Sequence, residues 1–83
     1  MTLRFPNAAL RQLSRLERNT QKRIVEKLEF YCSQEQPLQY AEKLAHPRVG
    51  QWRFRIGEYR VLFDVEYDDI VVLAIGHRKE IYK

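Results

Sequence analysis

From Gln51 onward the apolar residues of this chain fall on every second position. Trp52, Phe54 and Ile56 alternate with Arg53 and Arg55, and Tyr59, Val61, Phe63 and Val65 alternate with Arg60, Leu62, Asp64 and Glu66. A period of two marks strands that bury one face. Gly57-Glu58 separates the two runs as a hairpin turn. Tyr67-Asp68-Asp69 makes a second turn, and Ile70 to Ile75 is a continuous apolar run, as in a central strand covered on both sides. The C-terminal part is therefore predicted to be a three-stranded antiparallel meander.

The N-terminal half has a helical period instead. Thr2 to Phe5 reads as a short strand, and Pro6-Asn7 ends it, with Asn7 as the expected N-cap of a first helix. Leu10, Leu13 and Leu16 recur at spacing three, opposite Arg11, Gln12, Ser14 and Arg15. Arg18-Asn19 breaks the helix, and Thr20 caps a second one, whose apolar stripe is Ile24, Leu28 and Tyr31 with Val25 and Cys32. The two form an αα-hairpin. Leu38 to Leu44 is expected to hold one short helix, with Tyr40, Ala41 and Leu44 inward. His46-Pro47 ends it, because the residue before proline avoids helical geometry.

The order β-α-α-β-β-β predicts a two-layer α+β domain, an antiparallel sheet with the helical hairpin on one face. Phe5, Leu10, Leu13, Leu16, Ile24, Leu28, Trp52, Phe54, Val61, Phe63, Val71, Leu73 and Ile75 are the expected core. At 83 residues, the chain is read as one domain over 1–83. A core this thin leaves no room for a deep cofactor cavity, so the chemistry belongs on a surface. No cofactor is expected. Cys32 is the only cysteine, and His46 and His77 lack metal-ligand spacing, so no disulfide and no metal site are expected. Gly50, Gly57 and Gly76 form no phosphate-cradling loop. No apolar run suits a signal peptide or a membrane span, and a reducing cytoplasm is the expected location, with no membrane partner.

The charge is sorted rather than scattered. The sum is +4, with Arg48, Arg53, Arg55 and Arg60 against one acid, Glu58, and then Asp64, Glu66, Asp68 and Asp69 with no base between them. Strand parity puts Arg53, Arg55 and Arg60 on the face away from the helices. If Arg78 shares that face, Val72, Ala74 and Gly76 form its floor, and Val71, Leu73 and Ile75 face the helices. Clustered guanidiniums either await an anion, for which their fork is well shaped, or are solvated and paired to Glu58, Asp64 or Glu66. His77 is either an acid–base group or structural. His46 reads as inert and Trp52 as core. Tyr82 either stacks on an RNA base or packs back on the domain.

These residues resemble a known family. Trp52-Arg53-Phe54-Arg55-Ile56-Gly57-Glu58-Tyr59-Arg60-Val61-Leu62-Phe63 looks like the central hairpin of RelE/ParE-type toxins, and Gly76-His77-Arg78-Lys79-Glu80-Ile81-Tyr82 looks like their C-terminal end. The upstream helices fit as well, so the resemblance spans nearly the whole chain. It implies the toxin of a type II toxin–antitoxin system, a RelE-like, metal-independent endoribonuclease that cuts mRNA in the ribosomal A site. The implied partners are a cognate antitoxin, the ribosome and mRNA, with operator DNA met only through the toxin–antitoxin complex. By position, Arg53 and Arg55 match basic residues of the first hairpin strand, and Arg60 matches the arginine after the Gly-x-Tyr turn. Arg78 matches the arginine assigned as general acid, and Tyr82 the tyrosine that stacks on or orients the substrate. One departure concerns the base: the family pattern has lysines where this chain has Arg53 and Arg55, and arginine cannot be deprotonated. Either His77 or Glu58, the nearby titratable groups, serves as the base, or water does, or catalysis is slow. Two other functions share the resemblance: a ParE-like poison of DNA gyrase that cuts nothing, and a non-toxic module that only binds its antitoxin.

Overall fold

The computed structural model describes residues 1–45 and 49–82. The elements are β1 (Thr2–Arg4), α1 (Asn7–Ser14), α2 (Arg18–Ser33), a 3-10 turn (Pro37–Tyr40), β2 (Glu42–Lys43), β3 (Trp52–Ile56), β4 (Tyr59–Glu66) and β5 (Asp69–His77). They build one five-stranded sheet in the order β1-β5-β4-β3-β2. The predicted meander is β3-β4-β5, with Phe54 opposite Val61 and Val61 opposite Ile75. The sheet is antiparallel except at one edge, where β1 joins β5 in parallel, Leu3 beside Ile70. The helices cover one face, so the α+β class follows as the hydrophobic periods require.

The core lies between the helical hairpin and the sheet. Ala9, Leu13, Ile24, Leu28 and Tyr31 pack against Phe54, Ile56, Val61, Phe63, Ile70, Val72 and Ile75. Its spine is aromatic: Tyr31 stacks on Phe54 at 4.5 Å between ring centroids, and Phe54 on Phe63 at 4.4 Å. Such pairs add to the area term, and they tie α2 to the two central hairpin strands. Among the described residues no helix is long and apolar enough to cross a membrane.

Several expectations need correction. Leu10 is 49% exposed, because the buried stripe of α1 is Ala9 and Leu13, spaced i,i+4, and Leu10 lies on the next face round the helix. Phe5, Leu16 and Trp52 are half-buried and pack against this core, as expected, whereas Leu73 is half-buried outside it. The helix break falls at Arg15–Glu17, not at Arg18-Asn19. There the Gln21 side-chain amide donates to the carbonyls of Ser14 (3.2 Å) and Leu16 (2.8 Å), supplying partners that the ended helix cannot. Neither Asn7 nor Thr20 caps a helix; both lie inside one, after Pro6 and Glu17.

The short helix expected over Leu38 to Leu44 is a single 3-10 turn followed by β2. Glu42 pairs with Arg53 and Lys43 with Trp52, and Leu44 N–H donates to the Gln51 carbonyl. Without β2, the outer groups of β3 would have no ladder partner. Tyr40 points outward, 44% exposed, while stacking on Tyr31. His46-Pro47, expected to end this segment, and Arg48 lie outside the described residues, as does Lys83.

The phase of β5 is half as expected. A bulge between Leu62 and Phe63 leaves Ala74 opposite Leu62 and Val72 opposite Phe63, so Leu73 is the extra residue. After it, Ala74 and Gly76 share the open face and Ile75 the core, as expected. Before it the phase inverts: Val72 joins the core, and Val71, although only 3% exposed, lies on the opposite side with Arg4 and Asp64. An unbroken apolar run carries no parity from which that inversion is readable.

Candidate nucleic-acid interface

The register assembles the open face row by row. One row is Glu42, Arg53, Leu62, Ala74, and the next is Arg55, Arg60, Gly76. Arg55 and Arg60 are directly opposite each other, an arrangement that like charges make unfavourable unless something offsets it. The offset comes from β2. Arg53 Nη2 donates to Glu42 Oε2 at 2.9 Å, and Arg55 Nε to Glu42 Oε1 at 2.7 Å, so one carboxylate bridges two guanidiniums. The hydrogen bond from Arg53 holds the Glu42 carboxyl below the usual carboxylate range against some desolvation, and the charges of Arg53, Arg55 and Arg60 add to the effect.

Arg53 is the most constrained member. Its Nη1 donates to the Tyr82 hydroxyl at 2.6 Å, and its Nε is buried with no hydrogen-bond partner among the described residues. The bond to Tyr82, followed by that to Glu42, pushes its pKa further up against the opposing effect of burial, so Arg53 stays cationic. Tyr82 reaches it because the chain turns after β5: the N–H groups of Glu80 and Ile81 both donate to the His77 carbonyl. Ile81 then sits over Gly76, where an added Cβ would come within 3.2 Å of its side chain. The tail thus lies on the floor formed by the small residues of β5.

Arg60 and Arg78 are held differently. Arg60 Nη1 donates to two carbonyls, Gly57 at 3.0 Å and Tyr59 at 2.9 Å. Arg78 extends the ladder one step, its N–H donating to the Glu58 carbonyl at 2.8 Å, and its Nε pairs with Glu58 Oε2 at 2.5 Å. The five expected residues therefore form two groups. Arg53, Arg55 and Tyr82 gather around Glu42, while Arg60 and Arg78 attach to the tip of the β3–β4 hairpin.

The acids that neutralise the face were only partly foreseen. Glu58 is one of them, but Asp64 accepts the Gln51 N–H at 2.8 Å, and Glu66 stands at the far end of β4 opposite Asp69. Glu42 was missed, because a strand of two residues has no readable period. His77, next to Arg78 in the chain, does not share the face of Arg53, Arg55 and Arg60: it pairs with Tyr59, one residue out of phase with Arg60 and Gly76, and its ring meets Tyr59 edge-on at 5.6 Å. Its Nδ1 accepts the Lys79 N–H at 3.1 Å, a structural task. No group of three or more His, Cys, Asp or Glu able to hold a metal occurs among the described residues.

A helical hairpin on one face of a five-stranded sheet, with a cluster of arginines on the other, defines a small α+β domain. A family model described as the ParE toxin of type II toxin–antitoxin systems (parDE) matches residues 3–82. Toxin RelG of Mycobacterium tuberculosis is 32% identical over 99% of this chain and 95% of its own length. The toxin–antitoxin complex RelBE2 from the same species has a chain that superposes with a TM-score of 0.80 at 30% identity, over 93% of this chain and 96% of that one. The RelB–RelE antitoxin–toxin complex of Methanococcus jannaschii gives 0.68 at 25% identity, over 95% and 94%. The chain belongs to the RelE/ParE superfamily of type II toxins.

Proposed function

We propose that this toxin is a ribosome-dependent endoribonuclease that cuts mRNA in the A site without a metal ion, and that a cognate antitoxin silences it. The observation that carries the reading is the convergence of Arg53, Arg55 and Arg60 on adjacent rows of one face, with Tyr82 tied to Arg53. In this reaction the 2′-hydroxyl attacks the adjacent phosphorus, the bond to the 5′-oxygen breaks, and a cyclic phosphate and a free 5′-hydroxyl result. The phosphorane gains negative charge, and preorganised guanidiniums stabilise it. Arg60, which spends one nitrogen on turn carbonyls, faces that charge. Arg78 supports the leaving 5′-oxygen, and Tyr82 stacks on or orients a base.

Glu42 is the proton acceptor that fits the face best. Free, it is ionised but weakly basic, since two arginines grip it. A phosphate arriving on Arg53 and Arg55 competes for those donors and adds a negative charge nearby. Both effects raise the carboxyl pKa toward a useful base. The solved relatives in complex with antitoxins support an antitoxin partner here, through which operator DNA would be met.

A second reading, inhibition of DNA gyrase without cleavage, is favoured by the matching family model, which is described for ParE. Mapping mRNA 5′ ends after induction separates the two. New 5′-hydroxyl ends inside coding regions, in phase with codons, are expected. Filamentation and DNA damage with intact mRNA would overturn the nuclease in favour of gyrase.

A further inference from the structure

Three arginines of the site are matched by a carboxylate: Arg53 and Arg55 by Glu42, and Arg78 by Glu58. Arg60 is not, since its hydrogen bonds go to two backbone carbonyls. Nor is Arg23, on the sixth position of α2, which has no acidic partner among the described residues. These two unmatched guanidiniums meet at one residue. Arg60 Nη1 is 3.0 Å from the Gly57 carbonyl, and Arg23 lies against the Gly57 α-carbon. A Cβ built on Gly57 would stand 2.6 Å from Arg23 Nη2 and 3.2 Å from its Cζ. Arg60 arrives from the open face and Arg23 from the helix layer, so they close on the hairpin tip from its two sides. Gly57, with φ +59°, is the residue that both the tight turn and this approach require.

We infer that Arg23, beside Gly57 on the helix side of the hairpin tip, forms a second phosphate-binding site that grips the RNA backbone phosphodiester next to the one that Arg60 faces. Arg60 and Arg23 approach Gly57 from opposite sides, Glu58 of the same turn is engaged by Arg78, and a phosphate chain laid over the tip would offset the charge of both guanidiniums. A guanidinium offers two parallel donors to phosphate oxygens. Arg23 is exposed, so its fork is open to a strand that continues past Arg60. The site extends the cationic track from the open face, over the hairpin tip, to α2. It rests on the RNA-cleaving reading and adds Arg23, which lies outside the residues proposed to cut.

The test uses the full chain and a short, non-cleavable single-stranded RNA carrying 2′-O-methyl groups, with affinity measured against salt concentration. In single strands each neutralised phosphate contributes about 0.7 to the slope of log affinity on log salt. Arg23→Ala is expected to lower that slope by about this amount and to weaken binding roughly fivefold at moderate salt. Arg23→Lys should restore the slope, since it keeps the charge. Arg4→Ala, at the far edge where Arg4 pairs with Asp69, should leave the slope unchanged. Unchanged slope and affinity in a folded Arg23→Ala protein would overturn the second site alone, and so would loss of antitoxin binding without loss of RNA binding. Failure of the parent protein to bind RNA in the same assay, free or on ribosomes, would overturn both the site and the nuclease reading.

Discussion

On the proposed mechanism, Arg60 is the residue of the face whose removal best separates holding the fold from doing chemistry. Its contacts are carbonyls of a turn that Gly57 already shapes, so removing it leaves the hairpin intact. Arg60→Ala is expected to slow single-turnover cleavage on programmed ribosomes by two to three orders of magnitude, about 3–4 kcal/mol of transition-state stabilisation. Its melting curve should stay close to the parent's, and a tenfold or smaller rate loss would remove Arg60 from the site. Glu42 makes the complementary prediction. Because its folded pKa is depressed, chiefly by the Arg53 hydrogen bond, its stabilising effect is complete above the ordinary carboxylate value and fades as pH falls through the lower folded value. Denaturation of Glu42→Gln beside the parent should therefore show a small deficit at neutral pH that closes in acid, below about pH 4. A deficit constant across pH would mean that the carboxylate charge contributes nothing. The arginines were legible at this scale, because alternation assigns a side chain to a face. Their partners were not, because an ion pair across strands depends on register, and no residue near Glu42 reports the register of so short a strand.

At the scale of elements, periodicity served the hairpins well and failed where two faces are alike. In β3 and β4 alternation alone places Phe54, Val61 and Phe63 in the core, although Leu62, on the opposite face, is also only 3% exposed. In β5 both faces are apolar, and the extra residue at Leu73 reverses the phase of everything before it. The β4–β5 turn leads to a stability prediction. Tyr67 adopts φ 56° and is fully exposed, so a ring with no contacts to gain occupies a left-handed conformation that side chains disfavour. Asparagine tolerates that region far better. Tyr67→Asn should raise stability by about 0.5–1 kcal/mol in urea denaturation, with an unchanged m-value. Loss of stability would mean that the tyrosine ring does something its exposure does not reveal. By contrast, Gly50→Ala should be costly, since at φ 73° an added Cβ meets the Phe63 backbone N and O at 3.0 Å each.

For the whole molecule, the sorting of charge has a consequence for where catalysis is possible. The open face carries cations whose acids are already engaged, Glu42 by two arginines and Glu58 by one. The tail also rests on the floor, its Tyr82 hydroxyl accepting from Arg53. A loose RNA strand would have to displace these contacts while paying its own ordering entropy, whereas an mRNA held in a ribosomal site arrives ordered, with most of that cost already met. Naked RNA should accordingly be cut orders of magnitude more slowly than the same sequence on a programmed ribosome at equal toxin concentration. On the proposed mechanism, in which guanidiniums rather than a metal stabilise the phosphorane, a chelator selective for transition metals, used at constant millimolar magnesium so that ribosomes stay assembled, should leave the ribosomal rate unchanged. Rate loss reversed by zinc or manganese would show that a metal does part of this work. Equal cleavage of free and ribosome-bound RNA would mean that the face is already competent alone, and that Glu42 needs no arriving substrate to become a base.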